Sequence, residues 1–144
     1  MAYATTAQIE RDFKDITFSS STSVTDTDVA AFIEEADAEI DANLADKYEV
    51  PITGAAALIV VRTISIAIVA DRIRGILTIK TGDEKKDQAQ GKSASEIARQ
   101  RLKDIRDGKI KLVGATLAQS SDGIKSYATD EDLEPIFSMD EDQW

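Results

Sequence analysis

The sequence predicts an all-α protein, a small helical bundle around a long buried central helix, with a flexible acidic C-terminal tail. Three observations carry that prediction. The stretch from Gly54 to Lys80, GAAALIVVRTISIAIVADRIRGILTIK, is the longest apolar run, and between Ala55 and Ile79 its only charges are Arg62, Asp71, Arg72 and Arg74. Its apolar residues fall on every face, and a helix apolar all round is a buried one. Two other stretches repeat apolar residues at three- and four-residue spacing, the period of an amphipathic helix. Three segments open with a Ser or Thr followed three residues later by an acid or amide, the capping box that starts helices. They are Thr5-Ala7-Gln8, Thr25-Thr27-Asp28 and Ser93-Ser95-Glu96, given as cap, second and third positions.

The first helix is expected from about Thr6 to Phe13, burying Ile9 and Phe13. Residues 17–27, TFSSSTSVTDT, are rich in hydroxyls and read as a surface loop. Thr25 starts the second helix, with Val24 before the cap and Val29 in the fourth helical position placed as a hydrophobic staple. That helix runs to about Tyr48. It lines up Val29, Phe32, Ile33, Ala36, Ile40 and Leu44 toward a core, with Glu34, Glu35, Asp37, Glu39 and Asp41 on an acidic outer face.

Pro51 turns the chain, since it biases Val50 away from the helical region, and Thr53 is placed to cap the central helix. Within that helix Thr63-Ile64-Ser65-Ile66-Ala67-Ile68 alternates like a strand. Strands usually run only about 4 to 8 residues, however, and nothing from Ala55 to Arg74 punctuates this segment. As one helix it extends roughly 40 Å, with Gly75 a weak point. A membrane span wants about 18 or more uncharged residues, and Arg62 interrupts the run early. Arg62 and Asp71 read as an ion pair or as edge charges.

Residues 81–92 form a polar loop expected to be mobile. The last amphipathic helix, Ser93 to about Asp107, presents Ile97, Ala98, Leu102 and Ile105 to the core and Arg99, Arg101, Lys103 and Arg106 outward, with Gly108 as its C-cap. Lys109 to Gly114 alternates like a short extended segment. Residues 115–144 combine Ser, Asp and Glu with isolated apolar residues, the profile of a segment that orders on a partner. The organisation is thus a helical domain over 1–114 and an extended acidic tail over 115–144.

With 144 residues the chain is one domain in size. It has neither Cys nor His, which removes disulfides, thiolate and imidazole ligands, Cys nucleophiles and His bases. No basic, apolar leader opens it, so the expectation is synthesis and residence in the cytoplasm. The net charge of −10 is uneven: residues 1–61 sum to −9, residues 62–111 to +6 and residues 112–144 to −7. Such a chain repels nucleic acid as a whole, while its basic middle can meet an acidic segment of a neighbour. The basic run Arg99 to Lys111 has no interleaved aromatic and is interrupted by Asp104 and Asp107, a solvated or subunit-facing pattern rather than a nucleic-acid one.

Nothing in the sequence assembles an active site. The carboxylates of the second helix lack a second group to work with, and Asp26-Thr27-Asp28 fails as a calcium loop because Ala31 stands where Gly is required and Asp37 where Glu is. No Gly-x-Gly phosphate loop occurs. The expectation is therefore no catalysis, no metal and no cofactor. Trp144 reads either as a disordered end or as an aromatic anchor for a partner.

Particular words in the sequence resemble the head-tail connector (adaptor) proteins of tailed bacteriophages, including the Mu-like prophage version. They are Tyr3-Ala4-Thr5, the run Ala36 to Leu44 (ADAEIDANL) followed by Lys47-Tyr48 and Val50-Pro51, Ala70-Asp71-Arg72, and Leu102 to Gly108 (LKDIRDG). The resemblance covers roughly residues 3 to 112 and includes no catalytic motif; the Ser/Thr loop at 17–27 and the long acidic tail depart from the family's pattern. It implies a helical virion subunit in a ring of about twelve copies beneath the portal protein, extending the DNA channel toward the tail. The genome would pass without specific binding, and a stopper or other tail-proximal neck protein would be the further partner. It also implies that the C-terminal segment docks on the portal, with Ile136, Phe137 and Trp144 as the anchors set among acids. For the contact between copies, Glu35 and Glu39 are placed to meet Arg99 and Arg101 of the neighbour. Two rivals stand beside it. One is a soluble cytosolic interaction module, a regulator or an inhibitor whose acidic tail mimics DNA; the other is a stopper or tail-completion protein, roles that usually go with β-rich subunits.

Overall fold

A computed structural model describes residues 2–13, 16–81 and 92–118. Four α-helices follow one another along them: α1 (Thr6–Glu10), α2 (Asp26–Leu44), α3 (Ala55–Thr81) and α4 (Ala94–Arg106). The stretch that alternates like a strand is helical throughout, because α3 is long enough for its length to override local β-propensity. Gly75 leaves α3 unbroken. The expected loop at 81–92 lies almost wholly outside the described residues.

The helices begin where their capping residues stand. At α2 the Asp28 amide donates to Thr25 Oγ1 at 3.1 Å while the Thr25 amide donates to Asp28 Oδ2 at 3.0 Å. At α4 the Glu96 amide donates to Ser93 Oγ at 3.2 Å and the Ser93 amide to Glu96 Oε2 at 3.0 Å. Each box satisfies two amides that the first turn leaves orphaned. At α1 the Gln8 side chain accepts from the Thr5 amide at 3.0 Å. Thr53 does not cap α3; the Gly54 carbonyl accepts its first intrahelical bond, from Leu58 at 2.7 Å, so Gly54 holds the cap position. Asp26 to Asp28 are used up in the capped first turn of α2.

α4 ends in a Schellman motif. Gly108 has φ +82°, its amide donates to the Ile105 carbonyl at 3.1 Å, and the Lys109 amide reaches the Asp104 carbonyl at 2.9 Å. Two boundaries differ from the sequence reading. α1 stops at Glu10, five residues long, and α2 stops at Leu44. Tyr48 instead makes an isolated antiparallel bridge to Leu117, with Glu49 N–H to Thr116 O at 2.9 Å and Ala118 N–H to Lys47 O at 3.0 Å. Residues 109–114 turn rather than extend, and Leu112 enters the core with its amide on Tyr48 Oη at 3.3 Å.

The core is a single cluster around α3. Ala57, Val61, Ile64, Ile68, Val69 and Ile73 of that helix meet Val29, Ile33, Ala36, Ile40 and Leu44 of α2 and Ala98, Leu102 and Ile105 of α4. The hydroxyl-rich loop is not wholly a surface feature, because Phe18 and Val24 are buried in the same cluster and Phe18 meets Phe13 edge to face at 5.7 Å. Nor is α3 covered on every side. At 27 residues it outruns the 19 of α2 and the 13 of α4, and Ile59 stays 62% exposed. Ile97, expected in the core, is 58% exposed on the outer side of α4.

The glycines give an opposed pair of predictions. A Cβ on Gly54 would fall 1.8 Å from the Gly114 carbonyl oxygen, whereas one on Gly75 would meet nothing within 4 Å. Gly54→Ala forces the backbone apart and is expected to cost about 1–3 kcal/mol, while Gly75→Ala in an exposed helix interior is expected to add about 1 kcal/mol. Urea midpoints of the two variants against the parent check both signs.

Candidate interaction surfaces

Three charged or polar arrangements stand out, and the first is internal. Asp37, assigned by sequence to the solvated acidic face, is only 7% exposed. Its Oδ2 accepts the Tyr3 amide at 2.7 Å and its Oδ1 accepts the Ser65 hydroxyl at 2.8 Å. The Tyr3 hydroxyl donates to Asp41, so that carboxylate too is turned partly inward, and accepts the Ile52 amide at 2.8 Å. Arg62 Nε donates to the Tyr3 carbonyl at 3.2 Å. One N-terminal tyrosine thus ties together α2, α3 and the turn before α3. No buried side-chain polar atom among the described residues lacks a partner.

Burial pushes the Asp37 carboxyl above the ordinary carboxylate range, against the Tyr3 amide and Ser65 hydroxyl that favour its ionised form. Burial and the hydrogen bond to Asp41 likewise raise the Tyr3 phenol. Neither group faces a cavity open to a substrate, so both shifts belong to packing. The clue to Asp37 lay in its spacing, since it stands four residues after Ile33 and three before Ile40, on the buried face of α2.

Arg62 and Asp71 do not pair with each other. Nine residues separate them, a rise of about 13 Å along one helix, and Asp71 instead accepts the Ser95 hydroxyl at 2.5 Å.

The second arrangement is a cleft of about 530 Å³ where α2, α3 and α4 meet. Four of its five charged residues pair with one another, and the fifth, Asp71, accepts the Ser95 hydroxyl. Arg99 makes a forked contact to Glu39, Nε to Oε1 at 2.7 Å and Nη2 to Oε2 at 3.1 Å, which raises the guanidinium further. Arg72 binds Glu35 and lies over the Phe32 ring at 4.1 Å. Of the four residues read as a contact between copies, the structure therefore brings Glu39 and Arg99 together within one chain and gives Glu35 to Arg72. Arg101 is exposed and makes no ion pair among the described residues.

The third is a pair of outward faces. Between the N-terminal segment and α2 runs an apolar groove of about 580 Å³, floored by Ala2, Ala4, Ala30 and Ala31 with Glu34 among its lining residues. On α4, Ile97, Gln100, Arg101 and Asp104 share a shallow groove with Lys92 and Ile110, and Asp104 is paired to Lys109. The tail residues Ile136, Phe137 and Trp144 lie outside the described residues.

Among the described residues no group of His, Cys, Asp or Glu could hold a metal ion, and no helix is long and apolar enough to cross a membrane. The described residues thus hold a satisfied polar core, one cleft with internal ion pairs and exposed apolar faces. Residues 3–128 match the model of the family described as bacteriophage Mu, Gp36. The chain belongs to that family; it is a phage protein with a structural or assembly role. No curated protein matches the chain.

The buried clasp makes two predictions. Tyr3→Phe leaves the Ile52 amide without its acceptor and Asp41 without its donor, at an expected cost of about 1–3 kcal/mol, read as a lowered urea midpoint with the helical signal retained. Because the folded state raises the Asp37 pKa, it holds a proton that the unfolded chain has released above about 3.8. The contribution of this group is therefore greatest below that value and declines as pH rises through the folded pKa. Asp37→Asn lacks that slope, so the parent midpoint should fall relative to that of the variant as pH rises across this window; parallel curves would show that Asp37 does not titrate this way.

Proposed function

We propose that this chain is a head-tail connector, an adaptor subunit that assembles as a ring of about twelve copies below the portal, extends the DNA channel and offers the surface on which the tail attaches. The observation that carries this reading is the match to the Mu Gp36 family over residues 3–128. The helical architecture of the described residues supports an adaptor over the β-rich stopper and tail-completion roles.

The work of such a subunit is geometric and requires no catalysis or cofactor. Its partners are the portal on one side, a stopper or other tail-proximal neck protein on the other, and further copies of itself within the virion neck. The genome passes through without specific binding. The net charge of −10 favours passage, since phosphates meeting a negative wall slide rather than stick.

Portal attachment falls to the C-terminal segment, whose Ile136, Phe137 and Trp144 are apolar anchors in an acidic stretch. They lie beyond residue 128, outside the family match. Coupled folding and binding suits such a composition. Truncation after Ala118 keeps the contacts of residues 116–118 with residues 47–49, so it should leave the helical signal and thermal midpoint unchanged while abolishing capture by purified portal. Undiminished capture would remove the segment from the attachment role.

A further inference from the structure

The contact between copies can be located more closely, resting on the ring reading above only for the expectation that copies meet. We propose that α4 of one copy seats Ile97 in the groove between the N-terminal segment and α2 of the next, with Arg101 set against Glu34.

The in-chain seam between α2 and α4 defines the geometry. It runs through Glu39 to Arg99 and through Asn43 to Arg106, whose Nη1 donates to Asn43 Oδ1 at 3.4 Å. Ala30, on the groove floor, is nine residues before Glu39, and Ile97 is nine residues before Arg106. Nine residues correspond to about 180° around a helix. Ala30 therefore faces away from the seam on α2, and Ile97 faces away from it on α4. The chain's own α4 cannot reach its own groove, and the two faces point outward in opposing directions. That is the arrangement of a heterologous, head-to-tail contact, which closes into a ring when the rotation between copies permits.

Shape and sign agree. The groove, about 580 Å³ and open to solvent, is lined by alanines, threonines and Ile33, with Glu34 at hand for a cation. Ile97 is a large apolar side chain left 58% exposed, and Arg101 stands one turn further along the same face. Neither Arg101 nor Glu34 has an ion-pair partner among the described residues, whereas the other charges expected to bridge copies are taken up within the chain. Opposite charges at the rim set register and encounter, and the buried apolar residue supplies the affinity.

The chain has no cysteine, so a pair can be introduced cleanly. The full chain carrying Gln100→Cys and Thr27→Cys, which line the two surfaces and leave Ile97 and Ala30 in place, is treated with a short bis-maleimide, both at high concentration in solution and within purified particles. The control carries Gln100→Cys and Thr63→Cys, the second on the exposed side of α3. Docking raises the effective concentration of the reacting pair, so a ladder of dimers, trimers and higher species is expected at about tenfold or more over the control. Adding Arg101→Glu should reduce the ladder, and adding Glu34→Arg to that variant should restore it. Circular dichroism confirms that each variant remains helical. A yield equal to the control overturns the contact, as does a ladder indifferent to both charge reversals. If particles contain the chain but give no ladder, the contact fails and the virion role stands; if the chain forms the ladder but is missing from particles, the contact stands and the virion role fails.

Discussion

The apolar length of α3 sets the terms for every other element. Twenty-seven helical residues with so few charges must be covered, and among the described residues the helices long enough to do so are α2 and α4, of 19 and 13 residues. α2 and α4 pack along one side, α1 and the loop residues Phe18 and Val24 fill in, and the segment 112–118 returns past the start of the helix. Coverage stops short of completion. Ile59 and Ile79 remain outside, as does Ile97 on α4.

The second constraint is polar. A carboxylate buried beside α3 is tolerable only when its lone pairs are occupied, and Asp37 finds an amide from the N-terminal segment and a hydroxyl from α3. Tyr3 extends this into a clasp that gives the first residues of the chain a fixed place. A five-residue helix such as α1 is too short to persist alone, and it holds its position because Ile9 is fully buried and Tyr3 is bound at four points.

Much of the fold was legible because local and tertiary signals agreed. The capping boxes at Thr25 and Ser93, the staple at Val24 and Val29 and the C-terminal glycine at 108 each have a mechanism confined to a few residues, and each stands where the sequence places it. The misreadings occurred where the outcome depended on distant residues. Asp37 is acidic and looked solvated, but its placement on the buried face of α2 is satisfied only by Tyr3 and Ser65, 34 and 28 residues away. Ile97 continues the apolar pattern of α4 yet lies on a side that no element among the described residues covers. Glu39, read as meeting a neighbouring copy, pairs here with Arg99 of its own chain, 60 residues away. Helical spacing reports which residues share a face; it does not report which partner that face meets.

Paired charges along the cleft neutralise one another within the chain, while Ile97 and the alanine-lined groove stay exposed. The proposed assembly and attachment roles rest on those surfaces and on the acidic C-terminal segment. The most direct test is to fractionate a lysate of the source on a density gradient and quantify the chain in DNA-filled particles and in the soluble fraction. The account predicts that it travels with the particles at about twelve copies each. Particles that lack it, with the chain wholly in the soluble fraction, would contradict the account.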